Sequence, residues 1–428
     1  MKNRSVQPGP AYAGMFAALR GAAQEPAWLA ARREAAFAQL GRDGFPTRFV
    51  EEWKYTDISA LAARPLVLPA PAGAGDVAAA VPFLHADDLN VVFVDGRYAP
   101  ERSNAAQAGE LELVRLHDLA ADPEAPPPDA LVSALLNAAF RTDGVQVRIP
   151  AGRKIERRIH FILIHASATP DVLLAPWISV AAGAAAEARL AVTSVSCSAA
   201  PCLHVPRVLV HAEAGAQLAI SQAQILNPTA WQLATTRIEQ RRDSRVVHLD
   251  AALGSALGRH DLTAVLLESN SEVELNGLYA LQAQRHTDFH TLIEHRQPNC
   301  RSRQVYKGVL DGKAAAVFNG AVRVHPGASG TDGYQLNKAL LLSREAQVFS
   351  KPELLIDNDD VKCSHGATIG QLDPQELFYL QSRGIPEPRA RQMLARAFVE
   401  DVLFRQADAR QRADLDALLD RYFGEAHA

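Results

Sequence analysis

Between residues 144 and 369 the chain is a series of short runs in which apolar and polar residues alternate. Most runs are four to eight residues long and are separated by Gly, Asn, Asp or Ser, as in VQVRI, RIHFILI and QVYKGVL. A period of two is typical of β-strands that bury one face. No segment here keeps a helical period over more than about ten residues. The pattern therefore predicts an all-β region.

The number of these runs narrows the choice of architecture. A single sandwich or barrel seldom needs so many strands, whereas a β-solenoid adds them coil by coil, each coil burying its face on the next. The segments ISVAAGAAAEARLAV and VLVHAEAGAQLAISQ also share a strand, a glycine turn (at Gly183 or Gly215) and a second strand. We predict a β-solenoid, and two packed sandwiches remain the alternative.

The region before these strands is predicted to be mostly helical. From Met15 to Leu61 the chain is Ala-rich, with large apolar residues near one helical face at Trp28, Leu29, Phe37 and Leu40. Two Pro/Ala-rich stretches, 64–81 and 121–130, are predicted to be linkers or surface loops. Between them, NVVFVDGRYAP predicts one strand that runs into a turn at Asp95-Gly96.

An amphipathic helical module is predicted after Leu372. Asp373 suits an N-cap, and the first helix ends at Gly384. Two further helices carry their apolar residues on one face: Leu394, Phe398 and Val402, then Leu415, Leu418, Leu419 and Tyr422. We therefore divide the chain into a mostly helical region with linkers (1–140), a β core (141–371) and a C-terminal helical module (372–428).

Composition excludes several classes of protein. Of 428 residues 48% are hydrophobic, which is enough for a sizeable core and argues against disorder. A net charge of -4 argues against a dedicated nucleic-acid binder. No stretch reads as the roughly 20 apolar residues that cross a membrane, and the N-terminus does not read as a signal peptide. Four cysteines do not make a disulfide scaffold, so we expect a cytoplasmic protein with reduced thiols.

The usual catalytic motifs are not found. The nearest approach to a phosphate-binding loop, Gly308–Ala314, has one residue too few between its glycines and ends without Ser or Thr. It reads better as a hairpin turn at Asp311-Gly312. The sequence also has no H-E-x-x-H, G-x-S-x-G or C-x-x-C motif. These observations favour a protein that is not an enzyme by itself.

The most suggestive segment for metal chemistry is DNDDVKCSHG, at residues 357–366. In a strand, Val361, Cys363 and His365 share one face, with Cys363 and His365 about 6.5–7 Å apart at Cα. A thiolate and an imidazole suit iron or zinc, although two ligands do not complete a site. Cys is also among the most buried residue types, and the shared face with Val361 favours the core. From the residues alone, the core interpretation is preferred, and the acidic residues before Val361 are predicted to form a polar turn.

Other candidates have weaker support. Cys197, Cys202 and His204 are interpreted as loop residues, and Cys300 as an inert thiol in a turn. His286, His290 and Glu294 share one strand face that is able to bind iron or form a solvated polar ladder, while His295 points to the other side. Trp53 and Tyr55 are predicted to anchor the N-terminal region.

The stretch from Asn276 to Phe404 resembles the SufD family, subunits of the SUF iron–sulfur cluster assembly machinery. Motifs that carry this resemblance occur in order: NGLYALQ, TDFHTLIEH, CRSRQVYKGVLDGKAAAVFNGAVRV, TDGYQLNKALLLS, KPELLIDNDDVKCSHGATIGQLD and ELFYLQSRGI. The run EEWKYTDIS at Glu51–Ser59 fits the same family. The related SufB shares the fold, but the CSHGATIG wording and the chain length are similar to SufD.

The resemblance implies a right-handed parallel β-helix between helical N- and C-terminal regions. It implies a scaffold that pairs with SufB through the β-helices and binds the ATPase SufC through its C-terminal region, so that no ATP site is expected here. Paired β-helices also leave a homodimer of the isolated chain open. The rival hypothesis, a β-helix carbohydrate-active enzyme or acyltransferase, lacks a visible carboxylate cluster or a six-residue repeat.

The resemblance also changes the interpretation of two residues. A C-x-H pair of the family maps onto Cys363 and His365, which become candidate ligands of iron or of a transient cluster shared with SufB. This reverses the preference for the core, at least for His365. Complexes of the family have been linked with reduced flavin, but no residue of this chain is assigned to it.

Overall fold

About eight coils of chain wind between two long parallel sheets, and each coil gives one strand to each sheet. This computed structural model describes residues 4–22, 25–70, 77–124, 131–405 and 409–425. Helices lie at both ends of the described chain. The predicted parallel β-helix with helical flanking regions is confirmed.

The region before the solenoid contains helices, short 3-10 turns and strands. In chain order its helices and strands are β1 (Ser5–Val6), α1 (Pro10–Ala22), α2 (Ala27–Asp43), β2 (Phe45–Pro46), β3 (Leu89–Val94), β4 (Arg97–Tyr98), β5 (Glu112–Arg115) and α3 (Val132–Phe140). The 3-10 turns are Glu51–Trp53, Ser59–Ala63, Ala78–Phe83, Pro100–Arg102, Ala105–Gln107 and Leu116–Asp118. The predicted strand and turn are confirmed: β3 pairs with β4 around Asp95-Gly96, and both of these residues have positive φ.

The two stretches predicted to be linkers are packed against the solenoid where they are described. Val67 forms a parallel bridge with Val172. Arg207 donates through Nε to Glu124 Oε1 at 3.0 Å. Residues 71–76 and 125–130, the remainder of the two predicted linkers, lie outside the described residues.

The solenoid strands follow one another with short corners. In chain order they are β6 (Gly144–Ile149), β7 (Ile159–His165), β8 (Val172–Leu174), β9 (Trp177–Ala182), β10 (Glu187–Ser196), β11 (Cys202–His204), β12 (Arg207–Ala212), β13 (Gln217–Ile225), β14 (Trp231–Gln240), β15 (Arg245–Ala252), β16 (Leu257–Leu266), β17 (Glu272–Leu281), β18 (His286–His295), β19 (Arg301–Leu310), β20 (Ala315–Val324), β21 (Thr331–Leu341), β22 (Gln347–Ile356) and β23 (Val361–Gly370). Sheet I has the order β23-β21-β19-β17-β15-β13-β10-β7-β3-β4, and sheet II has the order β22-β20-β18-β16-β14-β12-β9-β6-β5.

The lumen between the sheets is filled by the inward side chains of both. Its largest cluster contains aromatic rings from alternate sheets in tilted or edge-to-face contact, with centroids 5.8 Å apart for Tyr279 and Phe289 and 5.1 Å apart for Phe289 and Tyr306. Glycines make room for these rings. A Cβ atom on Gly308 would lie 1.8 Å from the Tyr279 ring. The alternating pattern therefore encodes a close-packed lumen.

The turn at Asp311-Gly312 is a corner of the solenoid. It joins β19 in sheet I to β20 in sheet II, so these strands do not pair with each other and the predicted hairpin is wrong. Gly312 has φ +64°, which suits a sharp turn in either setting. A local pattern cannot distinguish a hairpin from a corner, because the distinction depends on which strand becomes the neighbour.

Three C-terminal helices follow: α4 (Pro374–Ser382), α5 (Glu387–Leu403) and α6 (Ala409–Glu425). Asp373 is the predicted N-cap, and its Oδ1 accepts from the backbone N–H of Gln375 at 2.8 Å. Buried apolar residues of α5 and α6, including Val399 and Leu419, pack with Leu278 and Val309 of sheet I. The module therefore packs on the β body. None of the described helices is long and apolar enough to span a membrane.

The two ends of the solenoid differ. At the first end, sheet I continues through β3 into antiparallel β4, and β5 covers β6 in antiparallel fashion. At the last end, within the described chain, β22 pairs with β20 alone and β23 with β21 alone. We call β22 and β23 the terminal coil, which presents two strand edges.

Candidate functional site

Strand β23 holds Cys363 and His365 on its lumen-facing side. Val361 and Cys363 pack against the lumen core, and His365 shares their side because side chains alternate along a strand. Cys363 is half-buried, whereas His365 is exposed. Their register neighbours on β21 are Gly333 and Gln335. The two candidate ligands therefore share one face of the terminal strand but differ in their access to solvent.

The Cys363 thiol lies in a tight apolar setting. Burial raises its pKa, the backbone of Gly333 opposes that rise, and Asp332 adds to it. A Cβ atom on Gly333 would lie only 3.2 Å from Cys363 Sγ, so the glycine leaves room for the sulfur. A thiolate here costs free energy unless a cation compensates it, as a bound metal ion does.

The described residues supply an incomplete ligand set for a metal ion. A structural tetrahedral site takes four ligands. No group of three or more His, Cys, Asp or Glu side chains among the described residues is placed to hold a metal ion. The acidic run 357–360 is the polar turn that the sequence predicts, in which Asn358 Oδ1 accepts from the Asp360 N–H at 2.9 Å.

Beneath His365 lies a column of buried polar side chains that the sequence analysis missed. Gln304 in β19 is in register with Gln335 in β21, which is in register with His365. Gln335 Nε2 donates to Gln304 Oε1 at 3.0 Å, and Gln304 Nε2 donates to Thr291 Oγ1 at 2.5 Å. We call Thr291, Gln304 and Gln335 the amide column. In the sequence, the column shows itself only as a Gln at a lumen-facing position in each of two successive strands of sheet I.

The terminal coil also exposes apolar side chains beside its strand edges. Leu355 and Ile356 in β22 and Ile369 in β23 are exposed, Ile369 by 46%. An exposed strand edge with apolar side chains is a template for pairing with another chain. The candidate ligands thus lie within a surface that is suited to association.

The run EEWKYTDIS crosses the outer face of sheet II and reaches the terminal coil. Trp53 stacks on the buried Arg259 with 3.7 Å from the guanidinium carbon to the ring centroid. Arg259 donates to Asp288 at 2.9 Å, and Thr56 donates to the same carboxylate. Tyr55 stacks on Phe349 of β22 with centroids 4.1 Å apart. Trp53 and Tyr55 therefore act as the predicted anchors, and they fasten the N-terminal region to the last coils.

Among the described residues, the other cysteines belong to no group of three or more potential metal ligands. Cys202 and His204 lie in strand β11, so the predicted loop is wrong there; Cys202 is buried among apolar residues, and burial raises its pKa to about 12. The Cys300 thiol donates to the backbone oxygen of Glu268 at 3.3 Å and lies 3.3 Å from Ser271 Oγ. Cys197 is half-buried. The interpretation of Cys300 as an inert structural thiol fits this packing.

The histidines of β18 have partners other than a metal. On the outer face, His286 Nε2 lies 2.9 Å from Thr56 Oγ1 and His290 Nε2 lies 3.1 Å from Asp288 Oδ1. Glu294 accepts from Arg296 at 2.9 Å. His295 points into the lumen, as predicted, and contacts Ser302 Oγ at 2.8 Å. On the outer face of β18, the two histidines and Glu294 therefore have polar partners within the described part of the protein.

Helix α4 differs from its two neighbours because none of its residues is buried. Phe378 and Tyr379 are 70% and 57% exposed. Helix α5 follows at once and contacts β19, where Lys307 Nζ lies 2.7 Å from Asp401 Oδ1. Within the C-terminal module, α5 is therefore packed on the solenoid, whereas α4 exposes aromatic side chains.

The chain matches a family model described as "SUF system FeS cluster assembly, SufBD core domain" over residues 164–398. It is 32% identical over 399 residues to an iron–sulfur cluster assembly SufBD family protein of Synechocystis. That alignment covers 89% of this chain and 88% of the relative. It is 32% identical over 370 residues to the iron–sulfur cluster assembly protein SufD of Escherichia coli, with 85% and 86% covered. The chloroplastic protein ABCI7 of Arabidopsis thaliana is 34% identical over 199 residues, or 46% of this chain and 42% of the relative.

Proposed function

Because this chain belongs to the SufBD family of the SUF iron–sulfur cluster assembly system, we propose that it is a SufD-type scaffold subunit without catalytic activity of its own. The observation that carries the proposal is the terminal coil, which presents open strand edges, apolar side chains and the Cys363–His365 pair together. The family match favours this proposal over the rival of a carbohydrate-active enzyme or acyltransferase.

The terminal coil would pair with a SufB-like subunit. Backbone N–H and C=O groups along the free edges of β22 and β23 can add a strand from a partner, while Leu355 and Ile369 supply apolar contact. A second copy of this chain could use the same edges in a homodimer. The heterocomplex is preferred because a partner must also complete the ligand set.

The cluster is cargo that passes through this interface. Cys363 would contribute a thiolate once iron displaces its proton, and the exposed His365 would contribute a ring nitrogen. The remaining ligands would come from the SufB-like chain. A reduced flavin would belong to the complex, with no residue of this chain assigned to it.

A SufC-like ATPase would dock on the C-terminal helices. Helix α4 offers Phe378 and Tyr379, while α5 is fastened to β19 through Lys307. Movement of the ATPase would thus reach sheet I, two strands away from β23. We place the complex in the cytoplasm, where cysteines stay reduced.

The test is to co-express the chain anaerobically with SufB-like and SufC-like partners and to measure iron and acid-labile sulfide. We compare the wild type with His365→Ala and with Ser364→Ala, an exposed neighbour on the opposite strand face. The proposal expects all three complexes to assemble and only His365→Ala to lose its cluster. Unchanged cluster content in His365→Ala would assign the chemistry to the SufB-like subunit, and an unassembled wild-type complex would contradict the scaffold role.

A further inference from the structure

The amide column has a direction, and that direction points toward His365. A carboxamide carries its N–H donor and its oxygen acceptor on opposite sides of one carbon. Since Gln335 Nε2 is held toward Gln304 in the coil below, Gln335 Oε1 points away from that amide. The register neighbour of Gln335 on the coil above is His365.

Gln335 Oε1 is an acceptor without a donor among the described residues, although Gln335 is fully buried with 0% exposure. A buried carbonyl oxygen that lacks a hydrogen bond lowers stability, so buried polar atoms normally have a partner. His365, the register neighbour of Gln335 on β23, carries one ring N–H in its neutral form. The unpaired oxygen of Gln335 therefore points to the His365 ring as its hydrogen-bond donor.

The column is also held firmly in place. A Cβ atom on Gly320 would lie 2.9 Å from Gln304 Oε1, so the chain leaves a glycine where the amide passes. Thr291 fixes the lower end of the column by accepting from Gln304. In this chain of hydrogen bonds the nitrogen of Gln335 faces Gln304, and its oxygen is left without a donor among the described residues.

We propose that Gln335 is a positioning residue that accepts a hydrogen bond from one ring N–H of His365 and leaves the other ring nitrogen unprotonated at the open edge. This inference rests on the proposed function, because it concerns how His365 is presented to iron. A histidine that binds a metal through one nitrogen commonly donates its other N–H to a protein acceptor, which sets the tautomer and the ring orientation.

The first test measures the tautomer of His365 directly in the full chain without partners. The chain is labelled with 15N-histidine, and the His365 ring signals are assigned by their loss in His365→Ala. At about pH 8, above the ordinary histidine pKa, two-bond 1H–15N correlations report which nitrogen carries the proton. We expect the ratio of the two neutral tautomers to change by about fivefold in Gln335→Met, the effect of one hydrogen bond.

Two further variants separate positioning from general loosening. Gln335→Glu keeps an acceptor in either protonation state and should keep the wild-type ratio. Asn337→Leu removes another buried amide from the same strand, one that bonds Tyr279 and Ser350 instead of the column, and should also leave the ratio unchanged. An equal shift in Asn337→Leu, or no shift in Gln335→Met, overturns the inference. If Gln335→Met does not fold, a wild-type tautomer ratio equal to that of free imidazole side chains overturns it as well.

A second measurement keeps this inference apart from the proposed function. Iron content of the complete complex is compared for wild type, Gln335→Met and Gln335→Glu, and we expect loss in Gln335→Met and rescue by Gln335→Glu. If His365→Ala retains its cluster, the proposed function fails at His365, whereas the tautomer measurement still decides whether Gln335 positions the ring. Retained iron in Gln335→Met together with loss in His365→Ala overturns the positioning role.

Discussion

The inner coils and the terminal coil are built from the same strand pattern, but their surroundings differ. Strand β19 lies between β17 and β21, and its Tyr306 is fully buried among lumen rings. Strand β23 has β21 on one side only within the described chain, and its His365 is exposed. The same alternation thus places a core residue in one coil and an accessible ligand candidate in the other.

This difference separates two kinds of lumen-facing residue in a solenoid. In an inner coil each lumen side chain is held from above and below, so its identity is explained by neighbours in the same chain. In the terminal coil the upper neighbour is missing from the described chain, so the exposed apolar residues and candidate ligands there are the ones that we propose for contact with a partner. We expect substitutions in inner coils to affect folding, and substitutions in the terminal coil to affect assembly.

The largest effect is expected where an inner coil buries charge. Burial would raise the pKa of Asp288, but Arg259 holds it well below its usual range. Asp288→Asn removes a charge partner of the buried Arg259 and should lower the free energy of unfolding by about 4 kcal/mol. The control is Lys351→Met in β22, whose exposed pair with Glu51 should contribute less than about 0.5 kcal/mol. Denaturant unfolding checks both, and equal losses would contradict the comparison.

A slightly smaller effect is expected from added volume in the lumen. Gly308→Ala forces a methyl group into the Tyr279 ring and should cost about 3 kcal/mol. Gly370→Ala, at the end of β23, has no atom within 4 Å of the added Cβ and should be nearly neutral. Thermal unfolding of both variants is the measurement. A stable Gly308→Ala protein would mean that the inner coils are packed more loosely than we describe.

Acid should destabilise the inner coils through their buried histidines. Burial lowers the pKa of His295 to about 4 and that of His248 to about 4. The unfolded chain, with an ordinary value near 6.5, therefore binds protons first as the pH falls, and stability is lost between about pH 6.5 and pH 4. From pH 7 to pH 5 the loss should be roughly 2 kcal/mol for His295. Denaturant titrations at about pH 7 and pH 5 should show a smaller loss of unfolding free energy in His295→Gln than in the wild type. An identical loss would contradict the role of His295 in this pH dependence.

The smallest effect on folding, but a large one on assembly, is expected in the terminal coil. Ile369→Asp should change the unfolding free energy by less than about 0.5 kcal/mol, because Ile369 is exposed. The same change should weaken binding of a SufB-like partner by about 30-fold, as for an apolar interface anchor. Val81→Asp, at an exposed apolar residue outside the terminal coil, is the control and should bind normally. Titration calorimetry compares the three proteins.

The candidate site was only partly accessible from the sequence. Strand parity correctly placed Cys363 and His365 on one face, but from the residues alone this favoured the core, since parity does not reveal whether another coil lies above. The amide column was missed because Gln304 and Gln335 are far apart in the chain and meet only through register. For the same reason, the local pattern predicts a hairpin where the chain forms a corner at Asp311-Gly312.

By itself, the sequence determined the β-solenoid, the helices at both ends, the polar turn before β23 and the family, since these depend on local period, capping and ordered motifs. The tertiary structure decided which coil is last, which side chains stack in register and which edges stay open. Those features depend on contacts between residues about one coil apart, and local periodicity carries no information about that register.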